Sequence, residues 1–280
     1  MVKEVKRVAV INDLSGIGGC SLTAAIPILS CIGVQSCPFP TAILSNQTNY
    51  KNYYFKDLTN GMEEYKRNLN KLNLNFHGIY SGFLGSVEQI DIVLDFINEY
   101  KNAVIIIDPV MGDNGEKYDT YTVEMCNKMK RLVAVADVVT PNITEACILT
   151  GKDYNNFSFK DEDIKDLCKE VVKIGAKRVV ITGVNRGNKI YNYGYDSENN
   201  QDIITQDDYN NTYYSGTGDI FSSIICGYII KGESFEKAIY KASDFIKKSV
   251  EFTMKFDRDT NEGIIFEPML KELIIDESKQ

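Results

Sequence analysis

A short glycine-rich motif carries the residue types needed to bind an anion and to accept a proton. Residues 215–219 read Ser-Gly-Thr-Gly-Asp and directly precede a strongly amphipathic helix pattern. Glycines let backbone amides converge, and a helix N-terminus adds positive potential, so this turn could stabilise charge on a transferring phosphoryl group. Asp219 would then lie beside the anion, where a carboxylate can accept a hydroxyl proton. The predicted catalytic residues are Gly216, Thr217, Gly218 and Asp219.

The alternative for Asp219 is a purely structural role, in which its charge stabilises the helix dipole. Two further polar clusters favour the catalytic interpretation. Residues 108–113 and residues 140–145 each follow a strand-like run, and ligands bind at the carboxyl ends of strands in open α/β sheets. Their carboxylate and amide oxygens suit Mg²⁺. Singly, each of these residues could instead belong to a turn or a helix start.

The first glycine cluster, residues 16–21, resembles a dinucleotide-binding fingerprint only partly. Ser21 stands where the third glycine belongs, and no acidic residue occurs between Asp13 and Asp57 to bind a ribose hydroxyl. Gly151 and Lys152 are followed by Asp rather than Ser or Thr, which excludes a P-loop there. An NAD-dependent oxidoreductase and a P-loop enzyme are therefore disfavoured.

The single histidine, His77, lies just before a strand-like run and is interpreted as a loop residue. No G-x-S-x-G motif accompanies it, which disfavours a serine hydrolase. The seven cysteines include no C-x-x-C pair, and we expect reduced thiols and no zinc site.

The elements that must position these residues alternate between strand-like and helix-like patterns. This predicts an α/β fold with a central, mostly parallel β-sheet flanked by α-helices on both faces. Strands are expected at residues 7–12, 42–45, 78–81, 103–108, 137–140 and 178–182. Residues 183–215, rich in Asn, Asp, Tyr and Gly, are expected to form loops or hairpins that cover a nucleotide. Residues 1–280 are expected to form one domain, with a flexible tail at residues 274–280.

The composition limits the kinds of partner that the chain can bind. With 280 residues and 44% hydrophobic residues the chain can bury a core, and 31 basic against 39 acidic residues give a net charge of −8. This balance disfavours nucleic-acid and anionic-membrane binders. No signal peptide or membrane span is recognised, and a cytoplasmic location is expected.

Seven short motifs lie between residue 7 and about residue 253: Asn-Asp-Leu-Ser-Gly at residues 12–16, Ser-Asn-Gln-Thr at 45–48, Tyr-Ser-Gly-Phe at 80–83, Asp-Pro-Val-Met-Gly-Asp at 108–113, Thr-Pro-Asn-Ile-Thr-Glu at 140–145, Val-Ile-Thr-Gly at 180–183 and Gly-Thr-Gly-Asp at 216–219. Through these motifs the chain resembles the ribokinase-like superfamily, and within it the pyridoxal (vitamin B6) kinases and hydroxymethylpyrimidine kinases. The last motif is highly specific in this order.

The resemblance implies a ribokinase-like fold, ATP as co-substrate, and Asp219 as catalytic base beside an anion hole. It implies substrate contacts from Ser15, Ser45, Thr48 and Phe83, and nucleotide contacts from Asp113, Thr140, Asn142, Thr182 and Gly183. Asp108 and Glu145 would organise Mg²⁺ and its waters. Whether a monovalent cation assists stays open.

The expected activity is ATP-dependent phosphorylation of the 5′-hydroxymethyl group of pyridoxal, pyridoxine or pyridoxamine in B6 salvage. Ser-Asn-Gln-Thr replaces the Ser-Asn-His-Thr frequent in pyridoxal kinases. Hydroxymethylpyrimidine kinase is therefore kept as an alternative, and a non-catalytic ligand-binding protein on the same fold as another. A homodimer is expected, and residues 49–55 are interpreted as a ring cover, a dimer contact or a plain surface loop.

Overall fold

A nine-stranded, mostly parallel sheet forms the centre of the protein in the computed structural model, which describes residues 5–118 and 120–275. The strands are β1 (Arg7–Ser15), β2 (Gln35–Leu44), β3 (Phe55–Asp57), β4 (Gly78–Ser81), β5 (Val104–Ile107), β8 (Val138–Val139), β9 (Arg178–Arg186), β10 (Lys189–Asp196) and β11 (Gln201–Asp208). Their order is β11-β10-β9-β8-β5-β4-β1-β2-β3. A separate two-stranded hairpin comprises β6 (Gly112–Asp113) and β7 (Glu116–Lys117).

Helices cover both faces of this sheet. They are α1 (Ser21–Ile32), α2 (Thr59–Lys71), α3 (Val87–Glu99), α4 (Val123–Val133), α5 (Ile143–Thr150), α6 (Asp161–Lys173), α7 (Thr217–Ile230) and α8 (Phe235–Thr253). Short 3₁₀ turns occur at Tyr154–Asn156, Thr260–Glu262 and Glu267–Leu273. One apolar core joins α1, α7 and α8 to the sheet, and a second joins α2 to α6 to the opposite face.

The parallel centre has a simple physical origin. β4 and β5 are four-residue strands that are almost wholly buried, as expected where helices cover both faces. Six consecutive strands from β9 to β2 pair in parallel, whereas β3, β10 and β11 add antiparallel pairs at the two ends. The parallel arrangement brings the carboxyl ends of β1, β4, β5 and β8 to one edge, where the functional motifs meet.

The predicted α/β architecture with helices on both faces is confirmed, but several strand limits were wrong. β1 continues three residues beyond the predicted end to Ser15, through a register shift between Asn12 and Leu14. β2 begins at Gln35 and ends at Leu44, so Ser45 lies outside it. Most of β2 was not predicted because it contains Pro38 and Pro40. Proline has no backbone N–H, and it is tolerated here because β2 pairs with β3 only over residues 42–44, so no hydrogen bond to β3 is lost.

Residues 183–215 are more regular than a loop. β9 passes through Gly183 to Arg186, and β10 and β11 form a long hairpin that pairs from Lys189 opposite Asp208 to Asp196 opposite Gln201. The hairpin lies at one edge of the sheet, and residues 209–216 lead from it to α7. Of the predicted tail, residues 276–280 lie outside the described part of the chain. Within the described ranges, no helix combines the length and apolar character needed to cross a bilayer.

Candidate active site

The start of α7 presents unsatisfied backbone donors. Gly216 is the N-cap residue with φ of 79°, a left-handed conformation that favours glycine, and a Cβ here would lie 2.5 Å from the Gly19 carbonyl oxygen. Glycine has no side chain that could satisfy the first-turn N–H groups. A Cβ on Gly218, by contrast, would meet no protein atom within 4 Å. Packing therefore demands glycine at position 216, whereas Gly218 leaves open space beside the first turn.

Asp219 lies in this first turn and is only partly exposed. Its Oδ1 accepts a hydrogen bond from Nδ2 of Asn12 at 3.1 Å. Burial, and secondarily the nearby charge of Asp13, raises the pKa of Asp219 from 3.8 to about 6. A carboxyl with this pKa is a base suited to neutral pH.

Asp13 binds the hydroxyl groups of two serines close to Asp219. It is 5% exposed, and its carboxylate accepts bonds from Oγ of Ser15 at 2.7 Å and Oγ of Ser21 at 2.6 Å. Ser21 adopts φ of 52°, an uncommon left-handed conformation for a residue other than glycine. Burial raises the pKa of Asp13, while both serine bonds lower it. The register shift in β1 falls at Asp13, and such bulges re-aim side chains near functional sites.

A cavity of about 510 Å³ opens beside Asp219. Its lining includes three of the four predicted substrate residues, namely Ser15, Thr48 and Phe83, together with Asp113 and Gly216. Ser45 is placed elsewhere: its hydroxyl donates to Oδ1 of Asn46 at 2.6 Å and accepts from the Tyr54 backbone at 2.8 Å. The other lining residues lie outside the predicted catalytic, substrate and nucleotide sets: Asp13, Cys20, Ser21, Leu44, Gln47, Asn49, Tyr53, Val110, Asn114, Glu116, Lys117, Tyr118, Thr120, Tyr213 and Ser215. Of these, Asn49 and Tyr53 belong to residues 49–55, for which a ring cover was one interpretation.

Asp108 follows β5 and connects this edge of the sheet to α7. Its Oδ2 accepts a hydrogen bond from Oγ of Ser222 at 3.0 Å, and that hydroxyl lies 2.7 Å from Oγ1 of Thr140. Burial, followed by the charge of Asp219, raises the pKa of Asp108 to about 8. The Thr140 hydroxyl therefore contacts α7 rather than pointing into open space.

Both carboxylate oxygens of Glu145 accept hydrogen bonds from backbone amides. Its Oε1 accepts from the Met111 amide at 3.0 Å and its Oε2 from the Asn142 amide at 2.8 Å, while the Asn142 side chain caps α5 in return. Burial, followed by the charge of Asp108, raises the pKa of Glu145. In their ionised forms, the two buried carboxyl groups at the ends of β5 and β8 would repel one another.

This donor set fits a hydrated divalent cation. Among residues 5–118 and 120–275, no three His, Cys, Asp or Glu side chains converge as a metal cage. Mg²⁺ often keeps several waters and is held by one or two carboxylates together with substrate phosphates. Asp108 and Glu145 supply such oxygens, and a cation would relieve their mutual repulsion.

The other predicted nucleotide residues cluster near β8 and β9. Asn142 and Thr182 form an isolated parallel bridge, and the Thr182 amide donates to the Pro141 carbonyl at 2.9 Å. Gly183 has φ of 70°, and its amide donates to Oδ1 of Asn192 at 3.2 Å. These residues therefore share one edge of the sheet with Glu145, separate from the cavity beside Asp219.

The model of the phosphomethylpyrimidine kinase family matches residues 15–263. A pyridoxal kinase of Dictyostelium discoideum is 30% identical over 229 residues, covering 74% of this chain and 72% of that protein. A hydroxymethylpyrimidine/phosphomethylpyrimidine kinase of Haemophilus influenzae is 27% identical over 263 residues, covering 89% and 92%. A Bacteroides thetaiotaomicron protein assigned as a phosphomethylpyrimidine kinase, solved in a crystal form with pyridoxal, superposes with a TM-score of 0.92 at 39% identity, covering 96% of both chains.

Proposed function

Because the chain belongs to the phosphomethylpyrimidine kinase family, as a pyridoxal kinase-like phosphotransferase acting on an alcohol within the ribokinase-like superfamily, we propose that it phosphorylates the 5′-hydroxymethyl group of a B6 vitamer. ATP is the phosphoryl donor that the kinase family implies. Both pyridoxal kinases and hydroxymethylpyrimidine kinases occur among the relatives at similar identity, so the choice of ring must come from the site itself and from assay.

One arrangement carries the proposal: a partly buried base and an open helix N-terminus meet at one end of a ring-sized cavity. Asp219 and Gly216 both line the cavity of about 510 Å³. Phe83 adds an aromatic surface for a ring, and Ser15 and Thr48 add hydroxyls for ring substituents. A ring held there can present its hydroxymethyl group to Asp219.

In the proposed reaction, Asp219 accepts the hydroxyl proton while the alcohol oxygen attacks the γ-phosphorus of ATP. The new P–O bond forms as the bond to the leaving ADP oxygen breaks. Backbone amides from Gly216 to Gly218 donate to the transferring phosphoryl oxygens, and the open space beside Gly218 accommodates them. The pKa of about 6 leaves Asp219 mostly unprotonated at neutral pH while keeping it more basic than an exposed aspartate.

The nucleotide and its cation are assigned to the neighbouring strand ends. We place the phosphates near Thr140, Asn142, Thr182 and Gly183, and the cation near Asp108 and Glu145. When bound there, Mg²⁺ would neutralise polyphosphate charge. Hydrogen bonds from the Met111 and Asn142 amides fix the position of the Glu145 carboxylate. Glu145 would therefore orient water that is bound to the cation.

Hydroxymethylpyrimidine kinase is the second candidate, favoured by a specific feature of the cavity. Gln47 stands where many pyridoxal kinases carry histidine, and its amide oxygen and nitrogen are bound within the protein. This position therefore lacks the histidine that is frequent in the pyridoxal kinase motif. The Bacteroides structure with pyridoxal supports the B6 assignment as the first choice.

An enzyme assay distinguishes the B6 kinase proposal from the hydroxymethylpyrimidine kinase proposal. Purified protein with Mg²⁺-ATP is assayed for ADP release with pyridoxal, pyridoxine, pyridoxamine and hydroxymethylpyrimidine. We expect at least one B6 vitamer to give the highest kcat/KM. Faster turnover of hydroxymethylpyrimidine would reverse the order of the two proposals, and background ADP release with all four alcohols would reject both.

Homodimerisation and a cytoplasmic location complete the proposal. Sheet edge β3 is flanked by exposed apolar side chains, including Ile43, Tyr54 and Phe55, which suit a contact between two copies. Sedimentation of the purified protein tests the dimer.

A further inference from the structure

We propose that Asn12 is a positioning residue that fixes the carboxylate of Asp219 in the orientation required to accept the substrate proton, an inference that rests on the proposed role of Asp219 as base. Asn12 lies within β1, directly before its register shift, is fully buried, and is separated from Asp219 by 207 positions. Its side chain contacts Asp219 directly but does not line the cavity. It would thus act through Asp219 rather than on substrate.

The orientation of the Asn12 amide is fixed by its other partners. Oδ1 of Asn12 accepts backbone N–H groups from Asp13 at 3.0 Å and from Phe83 at 2.9 Å. An amide oxygen that receives two backbone donors cannot exchange places with the nitrogen without leaving both donors unsatisfied. The NH₂ group must therefore face Asp219, where it donates to Oδ1 at 3.1 Å.

Gly82 provides the space for this amide. A Cβ on Gly82 would lie 2.4 Å from Nδ2, 2.7 Å from Cγ and 2.9 Å from Oδ1 of Asn12. The backbone amide of Gly82 donates to the Ile11 carbonyl at 2.9 Å, and this bond holds the residue after β4 against β1. The chain thus leaves out a side chain at position 82, directly after β4, where the Asn12 amide must cross toward α7.

Asp13 acts on Asp219 in the opposite electrostatic direction. The Asn12 hydrogen bond lowers the pKa of Asp219, whereas the neighbouring negative charge of Asp13 raises it. Adjacent residues of β1 therefore set the base: one orients and stabilises the carboxylate, and the other makes it more basic. The titratable groups that face Asp219 from the surrounding elements are Asp13 after the β1 register shift, Cys20 before α1, Tyr80 in β4, Asp108 after β5 and Tyr213 before α7.

The test compares Asn12→Ala with Asp13→Asn in the full chain. Asn12→Ala should lower kcat by about 10- to 100-fold, because a misplaced base loses proton-transfer geometry, and leave KM for ATP within about twofold. Titration of ¹³C-labelled aspartate carboxyls by NMR gives the pKa of Asp219, whose signal is assigned by its loss in Asp219→Asn. We expect that pKa to rise in Asn12→Ala and to fall in Asp13→Asn, by about one unit each.

Ser223→Ala is the matched control. The Ser223 hydroxyl donates to the backbone carbonyl of Asp219 at 2.6 Å without touching the carboxylate, so its removal should leave the Asp219 titration unchanged. If Asn12→Ala leaves both kcat and the Asp219 titration at the parental values, or if the control shifts the titration equally, the inference is overturned. Because the NMR titration needs no substrate, it remains decisive even if no B6 vitamer is phosphorylated.

Asn12→Asp covers the case in which the alanine variant does not fold. This substitution preserves both backbone-accepting contacts of Oδ1 and replaces the donor with a negative charge. Its Asp219 titration should move to higher pH than in the parent, with lower kcat. An unchanged titration in a folded Asn12→Asp protein also overturns the inference.

Discussion

Gln47 donates a side-chain hydrogen bond to the hydroxyl of Ser215 at 3.1 Å, although 168 positions separate them. The same amide nitrogen donates to the Asn261 carbonyl at 3.1 Å, and Asn49 also donates to the Ser215 hydroxyl at 3.1 Å. The residues after β2 are thereby tied to the turn that precedes α7. Gln47 is 9% exposed, so these bonds are largely shielded from water.

Replacing Gln47 should loosen the anion-binding turn. We expect Gln47→Ala to lower the free energy of unfolding by about 1–3 kcal/mol, because buried partners are left unsatisfied, and to reduce turnover by about tenfold. Thermal melting and steady-state ADP release measure both. Asn46→Ala is the control, since that half-buried neighbour donates only within its own loop, to the Asn52 carbonyl. Equal effects from the two variants would contradict a specific link to Ser215.

Asp219→Asn should separate catalysis from stability. Without the base, turnover should fall by about 10²–10⁴-fold, while ATP affinity changes little. The folded-state pKa of about 6 lies above the ordinary 3.8, so at about pH 3 the carboxyl is largely protonated in both the folded and the unfolded state and has little net effect on stability. Between about pH 3.8 and pH 6 the unfolded chain releases this proton more readily than the folded protein, so Asp219 lowers the stability progressively over this range, and the loss is complete above pH 6.

At pH 8 the Asn variant should therefore be more stable than the parent, by about 1–2 kcal/mol after allowance for the partial exposure of Asp219. At about pH 3 the two proteins should be equally stable. Denaturant unfolding at both pH values measures this difference. A helix-dipole role predicts the reverse, a loss of about 0.3–1 kcal/mol with nearly normal turnover.

Two glycine substitutions should have different consequences at the start of α7. Gly218→Ala meets open space in a helix, so it should raise stability by about 0.5–1 kcal/mol while it lowers turnover by obstructing the phosphoryl group. Gly216→Ala should destabilise the fold, because its φ is 79° and its Cβ would contact the Gly19 carbonyl. Melting curves and ADP release, measured on both variants, test these two expectations. Full activity in Gly218→Ala would argue against phosphoryl binding beside it.

The metal assignment predicts a difference in thermal stabilisation. Mg²⁺-ATP should raise the melting temperature more than ATP with a chelator, because a ligand that binds only the folded state stabilises it. Glu145→Gln should reduce that difference. Asp153→Asn is the control, since Asp153 caps the first 3₁₀ turn through the Asn155 amide. Equal melting shifts in the parent with and without Mg²⁺ would count against the site.

The nucleotide-cover expectation now applies to a shorter segment. Along β10 and β11 the backbone amides are paired, so hydrogen exchange should be slow there in the free protein. Residues 209–215 lack regular secondary structure, and Tyr213 lines the cavity together with Asp113. Exchange in residues 209–215 should be fast in the free protein and slower with an ATP analogue. Strong protection there without ligand would remove the idea of a moving cover.

Local patterns predicted the strand and helix order because buried strands and amphipathic helices leave clear periodicities. Residues 78–81 were predicted as a strand with the limits that β4 has. β2 was recognised only in its last residues, because Pro38 and Pro40 interrupt the pattern. Polar alternation in β10 and β11 was read as loops or hairpins, since edge strands carry less of the apolar signal.

The site was predicted where consecutive residues carry it, as at residues 216–219. The bonds from Asn12 to Asp219 and from Gln47 to Ser215 join residues distant in sequence, so no local spacing could indicate them. Asp13 left one usable signal, a carboxylate directly after the predicted first strand and two residues before Ser15. Ser45 was assigned to the ring pocket by resemblance alone, yet its hydroxyl bonds within its own loop.

The packing of α1 against α7 has a consequence for synthesis on the ribosome. Val8 and Val10 of β1 share one apolar core with α1, α7 and α8, so the earliest strand is covered partly by residues made after position 216. Until those helices emerge, the nascent chain exposes apolar surface from its first 34 residues, a state prone to association with chaperones. A chain terminated before Thr217 would keep that surface uncovered and would lack Asp219 as well, so a premature stop there leaves an aggregation-prone fragment rather than a partial enzyme.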